Sequence, residues 1–245
     1  MSYKLEKKLV ENFKRYLDEA AEEKQLYCDM DGVLCDFEAG AVRVMNDTLA
    51  KLRRDLPRLQ TLRPDRKNPE YMLFKLASRA VEEQGGDWGM TFDGTHIDKS
   101  IDTNKRCRDY MYHLTRHSVD WWATLPWMPG AKEGLWGKIV KFNPKVLSAP
   151  MDDSPESREG KLIWCKRELG YSGEQVILSE DKTAWGLKDG VQGVLIDDRD
   201  KYVAQFKAGG GIPVKHDGTN VGATIDALEQ LGFSQQEAEN GEEVS

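Results

Sequence analysis

The strongest constraint on this chain is a series of short apolar runs, most of them closed by a polar or charged residue: QLYCDMD (25–31), KVLSA (145–149), QVILS (175–179), GVLIDD (193–198) and GIPVKH (211–216). Runs of this length, bounded by Gly, Pro and Asp, are the pattern of buried parallel strands. Helical periodicity fills the intervals at 130–142, 156–169, 200–208 and 221–232. Strand and helix in alternation predict an α/β layer fold with a mainly parallel five-stranded sheet flanked by helices. Ligands of such sheets bind beyond the carboxyl ends of the strands.

One interval breaks the rhythm. About 115 residues separate the first strand from the second, too many for an unstructured loop inside a compact unit. Helical periodicity at 38–54, 70–84 and 100–117, followed by the aromatic segment DWWATLPWMPG, marks 38–129 as a mostly helical cap inserted after the first strand. The core then consists of 25–37 and 130–233. Residues 1–24 are expected to form an amphipathic helix, with Leu5, Leu9, Phe13, Tyr16, Leu17 and Ala20 three to four apart. The polar stretch 234–245 is expected to be an acidic, disordered tail.

Composition narrows the function. Among 245 residues, 35 Lys and Arg stand against 42 Asp and Glu, a formal net charge of −7. That balance lacks the clustered basic residues that a nucleic-acid polymer or an anionic membrane attracts. The tail after Phe233 contributes four glutamates and no basic residue, so −3 remains for the rest. Mean hydropathy is −0.64 and no apolar run approaches the roughly 20 residues of a membrane span. The opening MSYKLEKKLVENF has no apolar leader region, so a cytoplasmic location is expected, in bacterial or phage-infected host cytosol. Cys28, Cys35, Cys107 and Cys165 form no C-x-x-C pair, and reduced thiols are expected.

The chemistry gathers at the strand ends. Asp29 and Asp31 close the first strand, and Gly32 allows the tight turn that follows. Ser148 closes the second, Lys182 follows the third, and Asp197 and Asp198 close the fourth. Four aspartates converging on one rim repel by about 4 kcal/mol per close pair at an effective dielectric near 20, so a cation must balance them. Hard oxygen donors without His or Cys select magnesium, which takes substrate phosphate as a further partner. With Lys182 offsetting charge and Ser148 donating a hydrogen bond, a phosphate ester fits the same place. Hydrolysis through an aspartyl-phosphate gives Asp29 the role of nucleophile and Asp31 that of general acid and base.

DMDGVLCDF, LSAP, VILSEDKT and LIDDRDKY resemble the four signature motifs of the haloacid dehalogenase superfamily of phosphatases, and within it the 5'(3')-deoxyribonucleotidase family. The resemblance covers most of 25–216 and is weak across the cap. It implies a Rossmann-like core with a helical cap, magnesium as cofactor, and a small-molecule nucleotide substrate, the deoxynucleoside 5'-monophosphates. It further implies that Asp29, the backbone carbonyl of Asp31, and Asp198 hold magnesium, with Asp197 in support. Phe37 and Trp122 match positions that face the nucleotide base in that family, and aromatic faces stack on bases for about 1–3 kcal/mol.

Two lysines compete for the phosphate. Lys161 opens a helix after Ser148, whereas Lys182 follows a strand end at the carboxyl rim, which favours Lys182. The chain departs from the resembled enzymes at MDDS, where Asp152 and Asp153 replace the lysine that continues the second motif in the animal enzymes. His113 and His117 share a helix face without a third ligand, and Gly209, Gly210 and Gly211 read as a helix stop. The expected function is therefore a magnesium-dependent phosphatase, with a homodimer as a compatible assembly. A phosphatase acting on another small phosphomonoester or a nucleic-acid end, and a non-catalytic nucleotide-binding protein, are the alternatives.

Overall fold

The structure is a computed structural model and describes residues 24–59, 105–218 and 220–234. The expected N-terminal helix apart from Lys24, the expected helix at 70–84, and the tail beyond Ser234 lie outside the described residues. In chain order the elements are β1 (Lys24–Cys28), α1 (Phe37–Leu59), α2 (Lys105–Arg116), α3 (Val119–Ala123), β2 (Lys145–Ser148) and α4 (Pro155–Leu169). They continue with β3 (Val176–Leu178), β4 (Leu187–Lys188), β5 (Val191–Asp197), α5 (Asp200–Ala208), β6 (Ile212–Lys215) and α6 (Val221–Gln230). Ala131–Trp136 forms a π-helical turn that runs into an α turn at Gly137–Ile139 and a 3₁₀ turn at Val140–Phe142.

The described residues divide into two compact units. The first comprises 24–34, 127–149, 172–218 and 220–234, and it contains the sheet. Its strands run β3-β2-β1-β5, with β6 beside β5, all parallel. Register is set by Cys28 opposite Val146 on one side and Ile196 on the other. Leu26, Cys28, Val146, Leu147, Val194, Leu195 and Ile196 are fully buried, as near-continuous apolar strands require. Tyr27, Leu147, Leu195 and Phe206 form a core cluster on one face, with Ile177 and Trp185 packed against it.

A sixth strand joins the five expected from sequence. β4 is only two residues long and pairs antiparallel with the start of β5 through Leu187 and Lys188. Asp189 and Gly190 between them both take positive φ, 55° and 84°, the conformation of a two-residue hairpin whose twist matches its strands. A strand of two residues leaves no periodicity to read. The helix expected at 130–142 is present as a π turn followed by tighter turns rather than a regular α-helix.

The second unit comprises 35–59, 105–126 and 150–171 and is helical. Ser118 caps α3, accepting from the Trp121 amide at 3.2 Å, and Ser154 caps α4, accepting from the Ser157 amide at 3.0 Å. Trp121 and Trp122 on α3 are buried, as is Trp164 on α4, whose indole N–H donates to the Leu125 carbonyl at 2.9 Å. α4 and α3 pack closely because Gly160 has no side chain: a Cβ there would lie 2.3 Å from Trp122 Cβ. The unit thus extends past the 38–129 segment and takes in α4, which the linear order of elements had placed with the sheet.

Candidate active site

The site is built on the carboxyl edge of the sheet. Asp29 follows β1 directly, and its amide continues the ladder by donating to the Ile196 carbonyl at 2.9 Å. The chain then turns at once, with the Leu34 amide donating to the Met30 carbonyl at 2.8 Å and Gly32 at φ 74°. This turn presses on the neighbouring strand end. The positive φ favours glycine, and a Cβ there would meet the Asp198 carboxylate at 2.3 Å, so a larger residue would have to displace that carboxylate.

Asp197 is the last residue of β5, so Asp198 is released from strand alternation and both carboxylates reach one place. One oxygen from each of Asp29, Asp197 and Asp198 lies within 4.8 Å of the others. Lys182, beyond β3, enters this group with its whole side chain buried. Its amine stands 2.6 Å from Asp197 Oδ2, to which it donates, and 3.0 Å from Asp29 Oδ1. The Arg199 amide donates to Asp197 Oδ1 at 2.8 Å. Asp197 is therefore satisfied on both oxygens, whereas Asp198 Oδ1 is buried and accepts no hydrogen bond.

Electrostatics follow from this geometry. Burial is the largest influence on Lys182 and pulls its pKa down, but Asp29 and Asp197 outweigh it and hold the amine above its ordinary value. Burial, then the charge of Asp29, pushes Asp197 up to about 6 despite Lys182. Burial, then Asp29 and Asp197, pushes Asp198 up to about 7. Three carboxylates against one ammonium leave an excess of negative charge in a buried place. A buried oxygen without a donor, on a carboxylate that resists ionisation, is a place where a bound cation would be favoured. Oxygen donors alone fit magnesium and do not favour zinc.

The remaining residues singled out from sequence fall in two groups. Asp31 lies half-buried in the turn after Asp29, and Ser148 closes β2, fully buried, its carbonyl accepting from the Ser179 amide at 3.0 Å. These belong to the sheet unit with Asp29, Lys182, Asp197 and Asp198. Phe37, Trp122 and Lys161 belong to the helical unit. There the Phe37 ring lies 5.1 Å from Trp121 and 5.7 Å from Trp122, and the buried Lys161 amine lies 5.3 Å from the Trp122 ring. Trp122 is 2 % exposed and its indole N–H donates to the Thr115 carbonyl at 2.9 Å, whereas Phe37 is only half-buried. Asp152 and Asp153 are exposed.

Four residues near the carboxylates carry no signal that was read from sequence. Tyr202 places its ring 4.5 Å from the Lys182 amine. Lys215 donates to the Asp198 carbonyl and pairs with Asp200 at 2.7 Å. The buried His216 donates its amide to the Asp197 carbonyl at 2.9 Å, and its Nδ1 lies 2.8 Å from Thr224 Oγ1. Arg199 adjoins Asp198, and its charge opposes the rise in that carboxyl's pKa. The run DDRDKY puts Arg199 and Tyr202 one and four residues beyond Asp198, and that spacing is the signal available.

Fold and site together define an α/β protein with a buried, lysine-bearing carboxylate cluster at the carboxyl rim of a parallel sheet. Comparison with protein-family models and with curated proteins gives no match. Among solved structures, the chain is similar to a HAD family hydrolase from Deinococcus radiodurans with bound phosphate and sodium, at 16 % identity and a TM-score of 0.42, covering 88 % of this chain and 99 % of that one. It is also similar to a hydrolase from Streptococcus pneumoniae, at 14 % identity and a TM-score of 0.39, covering 87 % and 100 %. A phosphonoacetaldehyde hydrolase like protein from Oleispira antarctica matches at 17 % identity and 0.39, covering 90 % and 84 %. Among the described residues no helix is long and apolar enough to cross a membrane.

Proposed function

We propose that this chain is a magnesium-dependent phosphatase of the haloacid dehalogenase type, acting on deoxynucleoside 5'-monophosphates. One observation carries the reading: the Asp29 carboxylate, in a buried site, stands 3.0 Å from the Lys182 amine and within 4.8 Å of Asp197 and Asp198 oxygens. A carboxylate so placed is set beside both a cation and a site for a second one, which is what a nucleophile toward a dianionic ester requires.

Magnesium would be held by Asp29, the Asp31 carbonyl and Asp198, with Asp197 in support, and when bound it supplies the positive charge that lets a phosphate dianion approach a carboxylate. Asp29 attacks phosphorus while the leaving ester oxygen takes its proton from Asp31. Asp31, now a carboxylate, removes a proton from the water that attacks the aspartyl-phosphate. Phosphate leaves and Asp29 is regenerated. Ser148 donates to a phosphoryl oxygen, and Lys182 balances charge on Asp29 and on the phosphoryl group.

The nucleotide part of the reading rests on the DMDGVL-x-DF start, the DKT and LIDDR segments, and the aromatic group around Phe37. Phosphate release from a panel of deoxynucleotides, ribonucleotides and sugar phosphates, with and without magnesium, tests it. Magnesium-dependent turnover with a preference for deoxynucleotides is expected. A flat profile across the panel would remove the nucleotide assignment and leave the phosphatase.

A further inference from the structure

We infer that Tyr202 is a positioning residue for Lys182, its ring lying 4.5 Å from the buried ammonium that Asp29 and Asp197 also contact. The inference rests on the proposed phosphatase reading for what Lys182 does, and on geometry for how it is held. An ammonium has three N–H donors and no means of sharing them with water once buried. Here one points to Asp197 Oδ2 at 2.6 Å and the amine forms an ion pair with Asp29 Oδ1 at 3.0 Å. The Tyr202 ring, itself 6 % exposed, lies 4.5 Å from the same nitrogen. An aromatic face carries the negative lobe of its quadrupole and attracts a desolvated cation more strongly than an exposed one.

The rest of α5 and its exit hold the backbone of the same segment. Gln205 Oε1 accepts from the Lys182 amide at 3.4 Å. At the end of the helix, a Cβ on Gly209 would stand 1.9 Å from the Thr183 carbonyl oxygen, and one on Gly211 would stand 2.8 Å from Gly186 Cα. The glycines that read in sequence as a helix stop therefore also receive the Lys182-bearing turn. Side chain and backbone of Lys182 are both seated on one element. Tyr202 is the part of that seat that acts on the amine.

The test is titration calorimetry with inorganic phosphate in the presence of magnesium, on the full chain carrying Y202L, Y202M or Y202F, with melting followed by circular dichroism. Y202L and Y202M remove the ring at similar volume, and methionine, being unbranched, is the better tolerated in a packed site. Phosphate affinity is expected to fall about tenfold in both, and Y202F, which restores the ring without the hydroxyl, is expected to return it to within about threefold of native. Native-like affinity in a folded Y202L or Y202M would overturn the inference, as would a loss in Y202F equal to theirs. If the native protein binds phosphate and the variants follow this series while no ester is hydrolysed, the functional reading fails and the positioning role stands. A native protein that binds no phosphate overturns both.

Discussion

Lys182 and Asp197 meet at 2.6 Å with both side chains fully buried, fifteen residues apart in sequence and at the ends of strands that are not adjacent in the sheet. The pair is what makes the site tolerable without a metal. Removing one partner of a buried pair strands the other charge, at a cost of about 3–5 kcal/mol. Lys182→Met is accordingly expected to lower the melting temperature of the metal-free protein by several degrees and to reduce phosphatase turnover by about 100-fold or more. Thermal melting and steady-state kinetics on one preparation check both.

The carboxylates opposite Lys182 impose a pH dependence of unusual sign. Asp198 at about 7 and Asp197 at about 6 both lie above the ordinary range of an aspartate, so between about pH 4 and 7 the folded state binds more protons than the unfolded state. Stability contributed by such groups is present at low pH and is lost as pH rises through the folded values. Metal-free protein should therefore be less stable at pH 8 than at pH 5.5, by on the order of a few kcal/mol at most, and melt at a lower temperature there. Magnesium should reverse the loss at pH 8, because it binds the ionised form. Melting curves across that range, with a chelator and with magnesium, decide it.

Gly32 is the residue whose substitution should act on metal affinity most directly. Alanine there meets a positive φ of 74° and places a methyl group 2.3 Å from Asp198 Oδ2. Either the turn or the carboxylate must move. Gly32→Ala is expected to weaken magnesium binding about tenfold or more, measured by calorimetry with the metal alone, with a larger effect on binding than on melting.

Phe37 and Trp122 separate by burial into different expectations. Trp122 is 2 % exposed and hydrogen-bonded through its indole, so Trp122→Ala should cost about 3–5 kcal/mol of stability as a core deletion. Phe37 is half-buried at the edge of the same aromatic group. Phe37→Ala should raise KM for a deoxynucleotide several-fold while leaving that for a small aryl phosphate unchanged. Equal effects on both substrates would place the base elsewhere.

Much of the site was legible because its residues sit where strands end. Asp29, Ser148, Lys182 and Asp197 each follow an apolar run, and a parallel sheet brings all such ends to one edge whatever the intervening length. The interaction of Gly32 with Asp198 was not legible, since it depends on how far a turn after β1 leans toward β5, and no local pattern encodes that. Tyr202 lies within LIDDRDKY, where sequence spacing assigns it no role, because a ring acquires one only when a distant lysine is laid beside it. β4 escaped for want of length, although the Asp189–Gly190 pair is a hairpin signal in its own right. α4 illustrates the opposite limit: its periodicity marked it as a helix, but nothing in its sequence says whether it packs with the sheet or with the tryptophans of α3.

In the proposed reaction Asp29 attacks phosphorus. Release of phosphate from a deoxynucleoside 5'-monophosphate in the presence of magnesium, by the native chain and by Asp29→Asn, tests it most directly, because asparagine keeps the shape and removes the nucleophile. Turnover in the variant should fall by about 1,000-fold or more with the melting temperature preserved or raised, since one of three crowded carboxylates has been neutralised. Full turnover in Asp29→Asn, or turnover by the native chain that persists without magnesium, would contradict the account.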